Sequence, residues 1–408
     1  MKRTNLENWI CEIEALPNLT REGLEALQLA RLNELLGRLN AQSRFYVNLP
    51  NKLNHLRDLQ ALPFTTPQML AEHPGKFLLT SQSEVSRVIS GATSGTTGPA
   101  KRVFYTDADT EHTVGFFAAG ISEMLFKGEK CLIAFPFTGP FGLGDLIAKA
   151  VERLGGIPIK AGFGQPWEAM ISLVHKTQPE TYIGFPVTLL GLARMYGENF
   201  PIRRALVSGD ACPPGVMAEL EKLLGSKLYP HYGSRECGLG GAVTCPAHRG
   251  MHLRENHIIA EIVDEDGTVL PDGEYGELVI TTIGAEAMPL LRYRTGDYTR
   301  ILPPCPCGGV TKRLDTVSRR DGSIRIEELD SALFSLDQLI DYQVSFDGML
   351  QIKARCRENA DQSTTICNLV KAIYPQLQVQ VRVEQAQTHQ CPMYLGKRCV
   401  ISSAYDNL

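Results

Sequence analysis

The chain has 408 residues, 43% hydrophobic and 21% charged, which suits a large domain plus a small one with a sizeable buried core. A formal net charge of -4 excludes a basic nucleic-acid footprint and gives no field that would draw the chain to anionic lipid. No run approaches the apolar length of a membrane span. The opening MKRTNLENWICEIE has acids where a signal peptide needs an apolar core, so the expected address is cytoplasmic, with no nucleic acid and no membrane as partner.

The first 85 residues read as helical. Leucines recur at helical spacing through Leu24–Asn40, the mark of an amphipathic helix packed on a core. From about Val85 short apolar runs alternate with helical stretches. Cys131–Phe137, Ile157–Phe163, Thr181–Pro186 and Arg203–Gly209 read as strands. Asp145–Gly155, Pro166–Gln178 and Val187–Phe200 read as the helices between them, which predicts βαβ units and a mostly parallel sheet. After Leu239 the texture becomes all-β. His257–Ile283 holds two alternating strands around Asp-Gly turns, which predicts a small β subdomain. From about Arg320 the strands Tyr342–Phe346, Met349–Cys356 and Val379–Glu384, with the helix Ser363–Gln376, predict a small α+β module. The predicted architecture is therefore α/β. A large N-terminal domain, residues 1–318, carries mostly parallel sheets, helices and the β subdomain, and a small mobile α+β domain, residues 322–408, follows it. A polar hinge falls at Ser318–Gly322.

The sharpest local signal is Thr93-Ser94-Gly95-Thr96-Thr97-Gly98-Pro99-Ala100-Lys101. Glycines let backbone N–H groups approach a ligand, hydroxyls add donors, and the lysine neutralises charge, so the run reads as a polyphosphate cradle or as a polar surface loop. It lacks the spacing of a Walker A loop. The cysteines number eleven, odd and scattered, which argues against a disulfide framework. Cys131, Cys356 and Cys367 lie in apolar or amphipathic runs and read as small buried hydrophobes. Cys245, Cys305 and Cys307 do not.

TSGTTGPAK resembles the phosphate loop of the adenylate-forming superfamily of acyl-CoA synthetases, nonribosomal adenylation domains and firefly luciferase. The later landmarks follow in family order. Tyr232-Gly233-Ser234-Arg235-Glu236 resembles the Tyr-Gly-x-x-Glu motif, Thr295-Gly296-Asp297 the ribose-binding motif, Arg319-x-Asp321 the hinge motif and Gly396-Lys397 the C-terminal Gly-Lys. Cys305-Pro306-Cys307-Gly308 after RYRTGD, with Cys245 and Gly250-Met251-His252, resembles the phenylacetate–CoA ligase and coenzyme F390 synthetase branch.

The resemblance implies ATP-dependent conversion of a carboxylic acid, aromatic or arylacetic, to an acyl-adenylate, then transfer to a thiol. It implies that Thr93, Ser94, Gly95, Thr96, Thr97, Gly98 and Lys101 hold phosphates and that Glu236 binds Mg2+. Tyr232, Gly233 and Ser234 would face adenine, Ser208, Gly209 and Asp210 would form the opposite wall, and Asp297 and Arg319 would sit at the ribose. Lys397 would act at the α-phosphate and the acyl carboxylate, and Asp321 would be the pivot. Phe135, Phe137, Phe141, Phe185 and Pro186 would line the acid pocket, a reading that core packing matches equally well. No cation is evident in that pocket from sequence. Cys245, Cys305 and Cys307 with one histidine make a closed structural zinc set; the family pattern favours His252 and the local spacing allows His248.

The hinge departs from the family, because Ser323–Asp330, SIRIEELD, stands where relatives carry a glycine-rich stretch that meets coenzyme A. The acceptor therefore stays open among coenzyme A, an acyl carrier protein's phosphopantetheine and an amine. A homodimer is the oligomeric option. The other class of reading is a non-catalytic adenylate-binding regulatory protein, against which Lys397, Glu236 and the intact phosphate loop stand.

Overall fold

The computed structural model describes residues 4–91, 101–138, 142–319, 322–357, 362–394 and 396–402. The chain divides into two compact units, each assembled from three segments.

The first unit comprises Met1–Glu123, Thr138–Leu154 and Pro230–Arg319. Its helices start where short hydroxyl side chains satisfy free N–H groups. Thr4 caps Asn5–Ile13, Thr20 caps Arg21–Gln42, and Thr106 caps Asp107–Ile121 in a reciprocal box with Asp109. The strands Arg87–Gly91 and Lys101–Tyr105 pair antiparallel, with Gly91 opposite Lys101. A four-stranded antiparallel sheet orders Ile258–Val263, Gly276–Thr282, Tyr293–Thr299 and Ser318–Arg319. Shorter antiparallel strands, Ala242–Thr244, Met251–Leu253, Arg313–Leu314 and Ile301–Leu302, pair in succession. These two sets supply the predicted β subdomain.

The second unit comprises Met124–Phe137, Gly155–Tyr229 and Arg320–Leu408. Its parallel strands lie in the order Ile157–Lys160, Lys130–Ala134, Thr181–Gly184, Arg204–Val207, linked by helices Trp167–Thr177 and Pro186–Tyr196. The C-terminal strands Leu339–Asp347 and Met349–Cys356 form a hairpin, with Val379–Gln385 and Ile401–Ser402 joined parallel on its two sides. One apolar core runs from Leu132, Trp167 and Leu189 to Leu329, Ile340 and Val370. Arg194 bridges it, donating to Phe334 O at 2.7 Å and Leu339 O at 2.5 Å.

The α/β class and the strand–helix alternation match the sequence expectation. Three helices were not foreseen: Asp107–Ile121, Pro214–Leu224 and Ile326–Leu333. The first is buried along its whole C-terminal half, Thr113–Ile121, so it has no polar face to create a period. Among the described residues, no helix is long and apolar enough to cross a membrane.

Arg292 ties the β sheet to the helical N-terminal segment. Its guanidinium makes a buried paired bond to Glu261 at 3.0 Å and donates to Leu62 O at 2.8 Å and to Gln60 O at 2.7 Å, the last partly open to water. Burial holds Glu261 above the usual carboxylate range even with Arg292 beside it. Arg292→Met leaves that carboxylate without its partner and should cost about 3–5 kcal/mol in urea unfolding at pH 7. The loss should shrink at pH 5, because a carboxyl with a raised pKa then takes a proton and its buried charge disappears.

Candidate active site and metal centre

The six loop residues Thr93, Ser94, Gly95, Thr96, Thr97 and Gly98 lie outside the described residues, as do Phe141 and Asp321. Lys101 is described. It opens a strand, is almost fully buried, and donates from Nζ to Glu236 Oε1 at 2.5 Å and to Tyr293 Oη at 3.0 Å. Tyr293 Oη donates to the same Glu236 oxygen at 3.2 Å. Glu236 rides on the single turn Arg235–Cys237, which Gly238 ends with a φ of +71°. Burial by itself would raise the Glu236 carboxyl; Lys101 and Arg235 outweigh it and bring the pKa down to about 2. The carboxylate is therefore ionised throughout the physiological range.

Next to this triad, both oxygens of Asp297 are engaged. Tyr232 Oη donates to Oδ2 at 2.8 Å and Arg319 Nε to Oδ1 at 2.9 Å. Burial, then Asp297, hold the Tyr232 phenol well above its ordinary pKa, so it stays a donor. Each carboxylate oxygen keeps a further lone pair for a ribose hydroxyl. Gly233 explains itself by space: a Cβ there would lie 2.1 Å from Leu239 O. Ser234 caps the turn that carries Glu236. Lys101, Glu236, Tyr232, Asp297 and Arg319 thus gather in the first unit.

A separate set gathers in the second unit. Ser208, Gly209 and Asp210 follow the strand Arg204–Val207. Gly209 has a φ of +83°, and a Cβ would meet Phe185 at 2.7 Å and Phe135 at 3.0 Å. The rings of Phe135 and Phe163 both approach Phe185, at 5.1 and 5.4 Å. Phe185, Pro186, Asp210, Gly396 and Arg398 line one small cavity. Lys160, an exposed residue, has its Nζ 5.4 Å over the Phe137 ring. Lys397 is exposed, between Gly396 and the buried Arg398.

The metal candidates converge. The donor atoms of Cys245, His252, Cys305 and Cys307 all lie within 4.8 Å of one another. Cys245 Sγ is 3.8 Å from Cys305 Sγ, and Cys307 Sγ is 3.4 Å from His252 Nε2. His248 is not in the cluster; its N–H donates to Cys245 O at 2.9 Å in a turn where its φ is +49°. Between the two histidines the fold selects His252. A hydrogen-bond relay then fixes the His252 tautomer. Thr311 Oγ1 donates to Glu7 Oε1 at 3.2 Å, and that oxygen also takes the N–H groups of Val310 and Thr311. Having spent its one proton, Thr311 Oγ1 accepts from His252 Nδ1 at 2.7 Å. Nε2 is left with its lone pair facing the thiols, as a metal ligand requires. Gly309 N–H donates to Cys307 Sγ at 3.3 Å, a contact that favours thiolate. Three thiols and one oriented imidazole fit zinc.

Tyr293, Phe163, Lys160, Glu7 and Thr311 escaped the sequence reading. Tyr293 sits inside the RYRTGD run already singled out, so a signal existed. Glu7 reaches Val310 across 303 residues of chain, and nothing local announces that.

Lys101→Met should destabilise the protein by about 3–5 kcal/mol at pH 7, because Glu236 keeps its burial and loses its counter-ion. The wild-type contribution is present above the ordinary carboxylate range and is lost as pH falls toward 2, so the gap between variant and wild type should narrow in acid. A Lys101→Met, Glu236→Gln double variant should recover much of the loss. Urea titration at pH 7 and pH 4 checks all three.

The sequence profile described as "AMP-binding enzyme" matches residues 92–287. A phenylacetate-coenzyme A ligase of Thermus thermophilus is 32% identical over 339 residues, covering 77% of this chain and 74% of the ligase. One from Escherichia coli is 31% identical over 337 residues, covering 77% and 75%. A solved structure of 2-hydroxyisobutyryl-CoA ligase in the postadenylation state, in complex with 2-HIB-AMP, superposes with a TM-score of 0.78 at 19% identity, covering 93% of this chain and 89% of that one; it speaks to the fold. The ordered motifs and these relatives have one reading: the chain belongs to the phenylacetate–coenzyme A ligase branch of the adenylate-forming enzymes.

Proposed function

We propose that the chain activates an aryl or arylacetic acid with ATP and passes the acyl group to coenzyme A. The buried Lys101–Glu236–Tyr293 triad carries the reading, because a cation–carboxylate pair directly after the phosphate loop has no purely structural need to be there. The ligase relatives support the acid class and the acceptor.

In the first half-reaction a substrate carboxylate oxygen attacks the α-phosphorus and pyrophosphate leaves. The chain supplies position and charge. Residues 93–98 would cradle the phosphates, with Lys101 at the end of that run. Asp297 would accept from the ribose hydroxyls, held by Tyr232 and Arg319. Glu236 would hold Mg2+, which when bound neutralises phosphate charge. Lys101, held at Glu236 Oε1, would add its positive charge beside that carboxylate. Lys397 would stabilise charge developing between the acid and the α-phosphate. Phe135, Phe163 and Phe185 would pack a flat ring, with Lys160 at the edge of the site. In this reading residues 1–318 form the large domain and 322–408 a moving one, pivoting at Asp321.

One observation keeps a second acceptor in play. Ile326–Leu333 is a helix where relatives have a glycine-rich stretch, so a carrier protein's phosphopantetheine is the runner-up. The Cys245, His252, Cys305 and Cys307 set would hold a structural zinc, a closed site with no open position for chemistry. The odd total of eleven scattered cysteines, with the thiols of Cys245, Cys305 and Cys307 gathered in one cluster, supports a reducing, cytoplasmic compartment.

Pyrophosphate release with Mg-ATP and a panel of aryl, arylacetic, fatty and amino acids tests the reading. Release with an aryl or arylacetic acid, rising further with coenzyme A, is the expected result; silence across the panel from folded protein sinks it. Lys397→Ala should abolish release yet keep fold and ATP binding. Purified protein should carry about one equivalent of zinc, and Cys305→Ser should lose it. Glu7→Gln and Thr311→Val should keep zinc but weaken its retention about 10- to 100-fold in chelator competition.

A further inference from the structure

Lys397 is exposed, and the residue after it is the reverse. Arg398 is buried and anchored within the C-terminal strands and helix. Its Nε donates to both carboxylate oxygens of Asp330 at 3.0 Å, and Nη1 donates to Tyr342 O at 3.2 Å. The rings of Tyr342, Tyr394 and Phe334 surround the guanidinium at 4.4, 4.6 and 5.4 Å. Burial alone would lower its pKa; Asp330 outweighs that and raises it, so the charge is permanent. This side chain fixes where the backbone of residue 398 stands.

The backbone of the same residue makes a different bond. Arg398 N–H donates to Asp210 Oδ2 at 2.8 Å, while Ala211 N–H holds Oδ1 at 2.9 Å. Asp210 lies in the loop after the strand Arg204–Val207, and the left-handed turn at Gly209 packs that loop against Phe185 and Phe135. The carboxylate therefore joins the Lys397 segment to the loop that borders the aromatic cavity. Asp210, Phe185, Pro186 and Gly396 line that cavity together. Arg194 grips the carbonyls of Phe334 and Leu339, and Gly215 N–H donates to Ser331 Oγ at 2.9 Å; these hold the body of the C-terminal segment. The Asp210 bond bears on the few residues around Lys397.

We propose that Asp210 is a positioning residue for acid activation: by accepting Arg398 N–H it sets where the Lys397 ammonium stands relative to the acid pocket at Phe185 and Pro186. Asp210 touches no reacting atom and acts through Lys397. The inference rests on the adenylation role given to Lys397 above. When the 322–408 segment swings for the thiol step, the Arg398–Asp330 anchor travels with it and the Asp210 bond breaks. Asp210 therefore matters for the first half-reaction and not for the second.

The experiment compares wild type, Lys397→Ala, Asp210→Ala and Asp210→Asn. Three quantities are read: phenylacetate-dependent pyrophosphate release, thioester formation from synthetic phenylacetyl-adenylate and coenzyme A, and hydrogen–deuterium exchange of the 393–402 segment, which needs no substrate. Asp210→Ala should lower kcat for pyrophosphate release by about 10- to 100-fold, the scale of a misplaced catalytic group, with KM for ATP little changed. Its thioester step should slow far less than pyrophosphate release, and the 393–402 amides should exchange faster. Asp210→Asn keeps an acceptor oxygen and should restore most of the rate and the protection. If Lys397→Ala is slow and Asp210→Ala is not, the positioning role is wrong and the Lys397 reading stands. If Lys397→Ala keeps full activity, both are wrong. Equal slowing of both half-reactions in Asp210→Ala, or unchanged exchange, marks Asp210 as merely structural and overturns the proposal.

Discussion

The buried pair of Lys101 and Glu236 is the constraint on which the first unit's site depends. Two opposite charges out of water cost free energy unless each satisfies the other, and here a 2.5 Å contact with Tyr293 bridging both meets that condition. The pair joins the strand that follows the phosphate loop, the turn that follows Tyr232 and the strand that leads to Asp297. A side chain from each of those three motifs is then fixed relative to the others. The same triad leaves Glu236 ionised at any working pH, which a hard divalent cation requires of its ligand.

The cluster of Cys245, His252, Cys305 and Cys307 would do a comparable job elsewhere in that unit with a metal bound. Residue 245 and the 305–307 turn would be loosely held by their short strands alone. Four ligands facing one another, with His252 oriented through Thr311 and Glu7, would convert those turns on metal binding into a closed knot that also reaches the first helix. In bare protein, burial pushes Cys245 up to about 12 and lowers His252 to about 4. A dication reverses that preference for the thiols and suits the neutral imidazole.

The second unit rests on apolar continuity. The parallel strands and the C-terminal hairpin share one core, and the polar links across it include Arg194 to two carbonyls, Gly215 to Ser331, Asp210 to Arg398, and the N–H groups of Trp167 and Glu168 to Gln390 O and Thr388 O. In the proposed movement of residues 322–408, Arg398 would carry its own partner, Asp330, with it.

Much of this was legible in the sequence, for reasons that are local. Alternating strand and helix periods gave the parallel sheet, Asp-Gly turns gave the β subdomain, and the resemblance of the loop, Tyr-Gly-x-x-Glu, Thr-Gly-Asp and Gly-Lys runs to family motifs nominated Lys101, Glu236, Asp297 and Lys397, because each motif is short and contiguous in the chain. Cysteine spacing nominated the metal ligands but could not choose between His248 and His252, since both lie near Cys245 in the chain. The helix Asp107–Ile121 was missed because a helix buried along half its length shows no polar face. Tyr293's hold on Glu236, Glu7's hold on Thr311 and Asp210's hold on Arg398 join residues 57, 304 and 188 positions apart. Sequence determines which groups can donate, accept or carry charge. Only tertiary folding decides which of them meet, because partner choice across such separations is set by how strands register and helices pack, and no local pattern records that.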